Sequence, residues 1–388
     1  MTATKMQEPS LMSPAARLHL VRRGFTRRMF SRAGILLGAG AALPFYNEAA
    51  LAQLSNIGRL PPDAVKLNAN ENPMGPCPEA LEAIARAARL GGRYQYEETA
   101  DFVKLLAEQE GLKADCVLPF AGSSDPLHRV ILAFTSRTQP LVMGDPGYEA
   151  GQRAAAFVGS QVIRVPLRKD YAHDVRAMAA AHPTPGVLYV CNPNNPTGTV
   201  TPREDIEWLV RNKPAGSVLL LDEAYLHFCT EPPGSPLVAA GHDVIVLRTF
   251  SKLYGMAGLR AGAALGRPDL LEKLRGFSAG ALPATGMVGA IASLKVKNLV
   301  AERRKIFQQA REDVFEWLEK NRFSYVPSVS NKFMVDVGRP GQEVVREMAA
   351  RKVYIGRVWP AWPTYVRVSI GTREEMEKFK RAFLEVMS

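Results

Sequence analysis

Four short segments carry side chains able to handle a carbonyl compound and an anion, and each lies at the end of a strand-like run. Lys252 follows the apolar run 243–249, within Thr249-Phe250-Ser251-Lys252. An amine whose pKa is lowered by burial and neighbouring charge attacks an aldehyde to give a Schiff base. Eight residues on, Arg260 offers a planar fork suited to a phosphate. Asp222 opens Asp222-Glu223-Ala224-Tyr225 after the apolar run 217–221. A carboxylate there is costly unless a cation or strong donors meet it, and a protonated pyridine nitrogen is such a cation. Asn192-Pro193-Asn194-Asn195-Pro196-Thr197-Gly198 follows the run 187–191, and its two Asn-Pro steps impose extended and turn geometry on the asparagines. Gly122-Ser123-Ser124-Asp125 falls between a strand and a helix, where main-chain N–H groups and the positive helix end cradle a phosphate. Each segment alone has an ordinary reading: a surface lysine, an aspartate cap, a turn, a helix start.

The elements that must position these residues form an alternating series. Apolar runs at 116–121, 140–144, 161–165, 187–191, 217–221, 243–249 and 262–266 are separated by amphipathic stretches such as 125–134, 149–158 and 203–212. This alternation predicts an α/β fold, a largely parallel sheet with helices on both faces. Ligands in such sheets bind at the carboxyl ends of the strands, where all four segments fall. After Pro283 the pattern turns to long helical stretches, short strands at 332–337, 353–356 and 365–370, and a last helix over 374–386. The expected organisation is an arm over 53–90 that joins the small domain, a large domain over 91–283 and a smaller α+β domain over 284–388.

With 388 residues, 47% hydrophobic and 22% charged, the composition is that of a globular chain of about two domains. No apolar run of about 20 residues is present, so no stable membrane span is expected. Residues 1–52 carry seven basic and two acidic side chains, a surplus of five that leaves +6 of the total +11 for the rest. That remainder is spread over mixed-charge helices, which argues against a nucleic-acid partner. Cys77, Cys116, Cys191 and Cys229 lack zinc spacing, and no metal site is read. Arg27-Arg28, the Gly/Ala-rich stretch 33–43 and Ala50-Leu51-Ala52 form a basic region, an apolar stretch and a small-x-small cleavage site. These are the parts of a twin-arginine type export signal, which predicts a periplasmic or exported protein; a cytoplasmic one follows if the start is misassigned.

Taken together, the motifs resemble the fold-type I, pyridoxal 5'-phosphate-dependent aminotransferases, and most closely the histidinol-phosphate aminotransferase group. The resemblance runs from about Lys66 to Ser388 and includes Leu67-Asn68-Ala69-Asn70-Glu71-Asn72-Pro73 and Val366-Arg367-Val368-Ser369-Ile370-Gly371-Thr372. It implies the type I PLP-transferase fold and ping-pong transfer of an amino group from histidinol phosphate or an amino acid, possibly aromatic, to a 2-oxo acid such as 2-oxoglutarate. It implies that Lys252 binds the cofactor and carries the proton, that Asp222 pairs with the ring nitrogen, and that Asn195 and Tyr225 bond the ring's 3-oxygen. Tyr148 would stack on the ring. Ser123, Ser124, Ser251 and Arg260 would hold the phosphate, joined by Tyr94 from the partner of a homodimer. Arg367, with Asn72 and Arg357, would meet the substrate. Two departures stand out: Asp125 where the family often has glutamate, and Gly356-Arg357-Val358-Trp359-Pro360-Ala361-Trp362-Pro363 beside the substrate pocket. The tryptophans there suit either an aromatic substrate or core packing. Two rival readings of the same motifs are a decarboxylase of this fold and a cofactor-binding protein without turnover.

Overall fold

The computed structural model describes residues 60–277 and 280–388. The export signal read over residues 1–52 lies outside them. The main sheet contains β2 (Val117–Phe120), β3 (Leu141–Asp145), β4 (Val162–Pro166), β5 (Val187–Cys191), β6 (Val218–Asp222), β7 (Val244–Thr249) and β8 (Gly262–Gly266), in the order β2-β8-β7-β6-β5-β3-β4. β1 (Val65–Leu67) lies outside this sheet. β5, β6 and β7 are buried along their whole length. Their unbroken apolar runs fit strands covered on both faces. The flanking helices each offer one apolar stripe; Arg203–Asn212, for example, buries Ile206, Leu209 and Val210.

The expected parallel sheet is present, with one strand reversed. β3 to β7 pair in parallel with one another, while β8 runs antiparallel to both β7 and β2. β5 and β8 match the runs read from sequence, and β6 ends one residue later than its run, so that Asp222 is the last strand residue.

Beyond the main sheet, β9 (Tyr325–Val326), β10 (Lys332–Asp336) and β12 (Tyr365–Ser369) form a second, antiparallel sheet, while β1 pairs in parallel with β11 (Val353–Ile355). The last helix, Arg373–Met387, starts with a reciprocal capping box between Thr372 and Glu375. Among the described residues no helix is long and apolar enough to cross a membrane, and no cluster of three or more His, Cys, Asp or Glu is placed to hold a metal.

Behind the site, Arg248 of β7 is buried between Glu223 and Glu110, and its Nε lies 2.5 Å from Glu110. Removing the cation would strand the buried carboxylate of Glu223 and the mostly buried one of Glu110. Arg248→Met is therefore expected to lower the unfolding free energy by about 3–5 kcal/mol, read from urea denaturation. A loss below about 1 kcal/mol would show that the ion pairs contribute little.

Candidate active site

β2, β5, β6 and β7 all end at one edge of the sheet, and the reversed strand β8 begins there. Gly262 pairs with both Phe120 and Thr249. The residues just before Gly262 are therefore delivered beside the loops that follow β2 and β7. Arg260 donates from Nη1 to Ser251 Oγ (3.3 Å) and the Ala257 carbonyl (2.8 Å), and from Nη2 to the Ala121 carbonyl (2.8 Å). Gly122, at φ +92°, lies so close that a Cβ would run into the guanidinium. Ser123 precedes the helix Ser124–Phe134, whose first N–H groups lack intrahelical acceptors. Burial pulls the Arg260 pKa below the ordinary guanidinium value. A partly buried fork bonded only to a hydroxyl and carbonyls, at a helix N-terminus, suits a phosphate.

A second group of residues is gathered by the segment 68–72. Lys252 Nζ donates to the Ala69 carbonyl (3.3 Å), and Arg367 donates from Nη2 to the Asn68 carbonyl (2.5 Å) and from Nη1 to Asn195 Oδ1 (2.9 Å). Asn70 Nδ2 donates to Tyr225 Oη (3.0 Å), and Asn72 Nδ2 to the Leu253 carbonyl (2.7 Å). Asn70 adopts a left-handed φ of +52°, which asparagine tolerates. Its own N–H donates to Ser369 Oγ (2.9 Å), and its carbonyl accepts from Asn331 Nδ2 (3.0 Å). One extended segment thus ties residues from β12 and the loops after β5, β6 and β7 into a single cleft.

Asp222 is 3% exposed and accepts hydrogen bonds from Tyr189 Oη (2.9 Å) and the Ala224 N–H (3.1 Å). Burial raises its pKa, opposed by these donors and by the charges of Lys252 and Lys332. Burial, followed by the Asp222 charge, keeps the Tyr189 phenol well above its ordinary value, so it remains a donor.

Lys252, Asp222, Asn195, Tyr225, Arg367, Ser251, Arg260 and Asn72 are thus brought together as expected, with Ser123 and Ser124 at the helix start beside Arg260. Tyr148 is buried in the loop after β3, and Arg357 pairs with Glu149 (2.5 Å). Tyr94, by contrast, is 70% exposed and stacked on Tyr96 with centroids 5.4 Å apart. Asp125 pairs with Arg129 one helical turn on (2.7 Å). The two tryptophans are packing residues: Trp359 is buried with Val326 and Met334, and Trp362 packs on Tyr171 and Tyr365.

Asn70, Tyr189, Glu149 and Lys332 were not singled out from sequence. Lys332 is wholly buried, its Nζ 3.0 Å from the Tyr225 ring centroid and 3.0 Å from Ser330 Oγ. Only the alternation of the two paired strands could have signalled it: Lys332 and Met334 face Ser369 and Arg367 across the β10–β12 ladder.

The donor set suits pyridoxal 5'-phosphate. Four basic side chains, Lys252, Lys332, Arg260 and Arg367, are gathered with the acid Asp222, a set that a phosphate dianion and a substrate anion would complement. The buried carboxylate at the end of β6 suits a protonated ring nitrogen.

The family model for aminotransferase class I and II matches residues 62–383. The chain is 33% identical over 337 residues to the histidinol-phosphate aminotransferase of Moorella thermoacetica, covering 84% of this chain and 86% of that protein. It is 34% identical over 337 residues to the aromatic amino acid aminotransferase of Nocardia farcinica, covering 84% and 92%. The structure of the Sinorhizobium meliloti histidinol-phosphate aminotransferase in complex with pyridoxal-5'-phosphate superposes with a TM-score of 0.78 at 26% identity, covering 89% of this chain and 96% of that one.

Proposed function

This chain belongs to the class I and II aminotransferases and is a pyridoxal 5'-phosphate-dependent transaminase, and from that premise we propose that it takes an amino donor whose anionic group is gripped by Arg367. The supporting observation is the bond between Arg367 and Asn195, which places a buried cation in the same cleft as the Lys252 amine. The relatives named for histidinol phosphate and for aromatic amino acids bound the donor class. The tryptophans of the 356–363 segment, being packing residues, lend no weight to an aromatic side chain.

When bound, pyridoxal phosphate supplies an aldehyde that condenses with amines and a ring that accepts electron density. Gly122, Ser123, Ser124, Ser251 and Arg260 would hold its phosphate, Asp222 its ring nitrogen, Asn195 and Tyr225 its 3-oxygen, and Tyr148 its ring face. Lys252 would serve as its attachment point and, with its amine free, as the base that carries the donor's α-proton. Asp222 keeps its negative charge when a cation faces it, and the Tyr189 hydroxyl fixes its orientation. Arg367 orients the donor, and its own position is fixed by Asn195 and the Asn68 carbonyl.

The test is a spectroscopic half-reaction with a panel of amino donors. A donor should change the absorbance of the bound cofactor without an acceptor, and a 2-oxo acid should restore it. Release of carbon dioxide instead would favour the decarboxylase reading.

Two further proposals accompany this function. The first is a homodimer in which Tyr94 reaches the partner's phosphate site, supported by the exposure of Leu90, Tyr94 and Tyr96 within seven residues. A monomer by light scattering would count against it. The second is export through the Arg27-Arg28 segment, for which unchanged fractionation of an Arg27→Lys, Arg28→Lys protein would be the contrary result.

A further inference from the structure

We propose that Lys332 is a positioning residue for the cofactor: lying over the face of Tyr225, it holds that ring and strengthens the hydrogen bond that the Tyr225 hydroxyl gives to the cofactor's 3-oxygen. The proposal rests on the transaminase reading and on Tyr225 as a partner of that oxygen. Lys332 is wholly buried, with Nζ 3.0 Å from the Tyr225 ring centroid and 3.0 Å from Ser330 Oγ. Carrying an amine that far from water is costly, and an apolar chain of the same length would fill the space without that cost. Lys332 on β10 faces Ser369 on β12 across the antiparallel ladder, and residues so paired share one face of the sheet. Ser369 Oγ donates to Asn70 Oδ1 (3.2 Å) and accepts from the Asn70 N–H (2.9 Å), while Asn70 Nδ2 donates to Tyr225 Oη (3.0 Å). One cross-strand pair thus supports Tyr225 twice, Lys332 at the ring face and Ser369, through Asn70, at the hydroxyl. Because Asn70 is the donor in its bond, the phenolic O–H is directed away from it.

An N–H group over an aromatic face meets the negative side of the ring quadrupole and draws electron density from it. The phenol then donates more strongly, and a strong bond to the 3-oxygen stabilises negative charge there. That oxygen competes less for the proton it shares with the nitrogen joining the cofactor to Lys252, so the nitrogen loses its proton at lower pH. Charged or titrating groups around this space are Asp222 of β6, Tyr189 and Cys191 of β5, Lys252 with Nζ 5.7 Å from the ring centroid, and Arg367 of β12, bonded to Asn195. Burial raises the Asp222 pKa and Lys332 is among the groups that oppose it. Asp222 is therefore a second route from Lys332 to the same absorbance.

A spectrophotometric pH titration of the holoenzymes, arranged as a double-mutant cycle, separates the two routes. Its readout is the pH midpoint of the visible absorbance change. Lys332→Met should raise the midpoint by at least about half a pH unit, and Tyr225→Phe should raise it further. Lys332→Leu gives the same measurement if the Met variant does not fold. In the Tyr225→Phe background, Lys332→Met should leave the midpoint within about 0.3 unit, since the hydroxyl it acts through is gone. The proposal is overturned if Lys332→Met leaves the midpoint of the parent unchanged, or if its full shift persists in the Tyr225→Phe background, which would assign its effect to Asp222. A Tyr225→Phe midpoint equal to the parent's would remove Tyr225 from the 3-oxygen, and this inference with it. A parent whose visible absorbance responds neither to pH nor to any amino donor would overturn the transaminase reading itself.

Discussion

Lys252→Ala is expected to lower kcat by at least about 10⁴-fold and to abolish the visible absorbance that the lysine-bound cofactor gives. Proton transfer by a positioned group contributes roughly 10²–10⁴-fold, and this substitution removes the attachment amine as well. The side chain's bond to the Ala69 carbonyl is long, at 3.3 Å, and such a bond contributes little to the fold. The cofactor-free variant should therefore unfold within about 1 kcal/mol of the parent. Cofactor binding should survive in weakened form, because Arg260, Ser251 and the helix start at Ser124 are untouched. Added small primary amines should restore part of the activity, an outcome that a structural role for Lys252 would not produce. Normal turnover with intact absorbance in the Ala variant would end the assignment.

The residues that sequence could identify are those whose role depends on chain neighbours. Asp222 and Lys252 are legible because each follows a buried strand, and an ionisable group there needs a reason. The reversed strand β8 explains why Arg260, eight residues after Lys252, returns to the same edge: Gly262 sits against both Phe120 and Thr249. Sequence offered Arg260 as a suitable fork. The antiparallel turn is what delivers it.

Residues whose role depends on distant partners stayed hidden. A glutamate after Tyr148 and an arginine after Gly356 look like unrelated surface charges until they meet across 208 positions. Lys332, read as the first residue of a short strand, proves to be wholly buried over the Tyr225 ring. Asn70 lay inside a quoted motif, yet its bonds to Tyr225 and Ser369 follow from a chain path that no local pattern fixes. Tyr94 shows the opposite case: the family resemblance assigns it to the phosphate site, and within one chain it lies exposed. A role that needs a second subunit leaves no mark on a single chain's contacts.

Asp222→Asn should separate catalysis from folding more sharply than any other change in the cleft. The amide keeps the shape but cannot hold a proton on the ring nitrogen through an opposite charge. Loss of one preorganised electrostatic group typically costs about 10²–10³-fold in kcat, and a fall of about 10³-fold is expected. Stability should move the other way with pH. Burial raises the folded-state pKa of Asp222 above its ordinary 3.8, so the folded chain holds this proton more tightly than the unfolded chain. Its contribution to stability is present at low pH, falls as pH climbs from the ordinary value through the raised one, and stays lost above it. The amide has no such loss, and the Tyr189 hydroxyl, able to donate or accept, can still bond to it. Urea unfolding of the two cofactor-free proteins should therefore show the difference shifting in favour of the variant between pH 4 and pH 8, since their other titrating groups are shared. A variant that keeps its kcat would show that the carboxylate does not serve the ring nitrogen. One that is several kcal/mol less stable at pH 8 would show that the charge belongs to the fold instead.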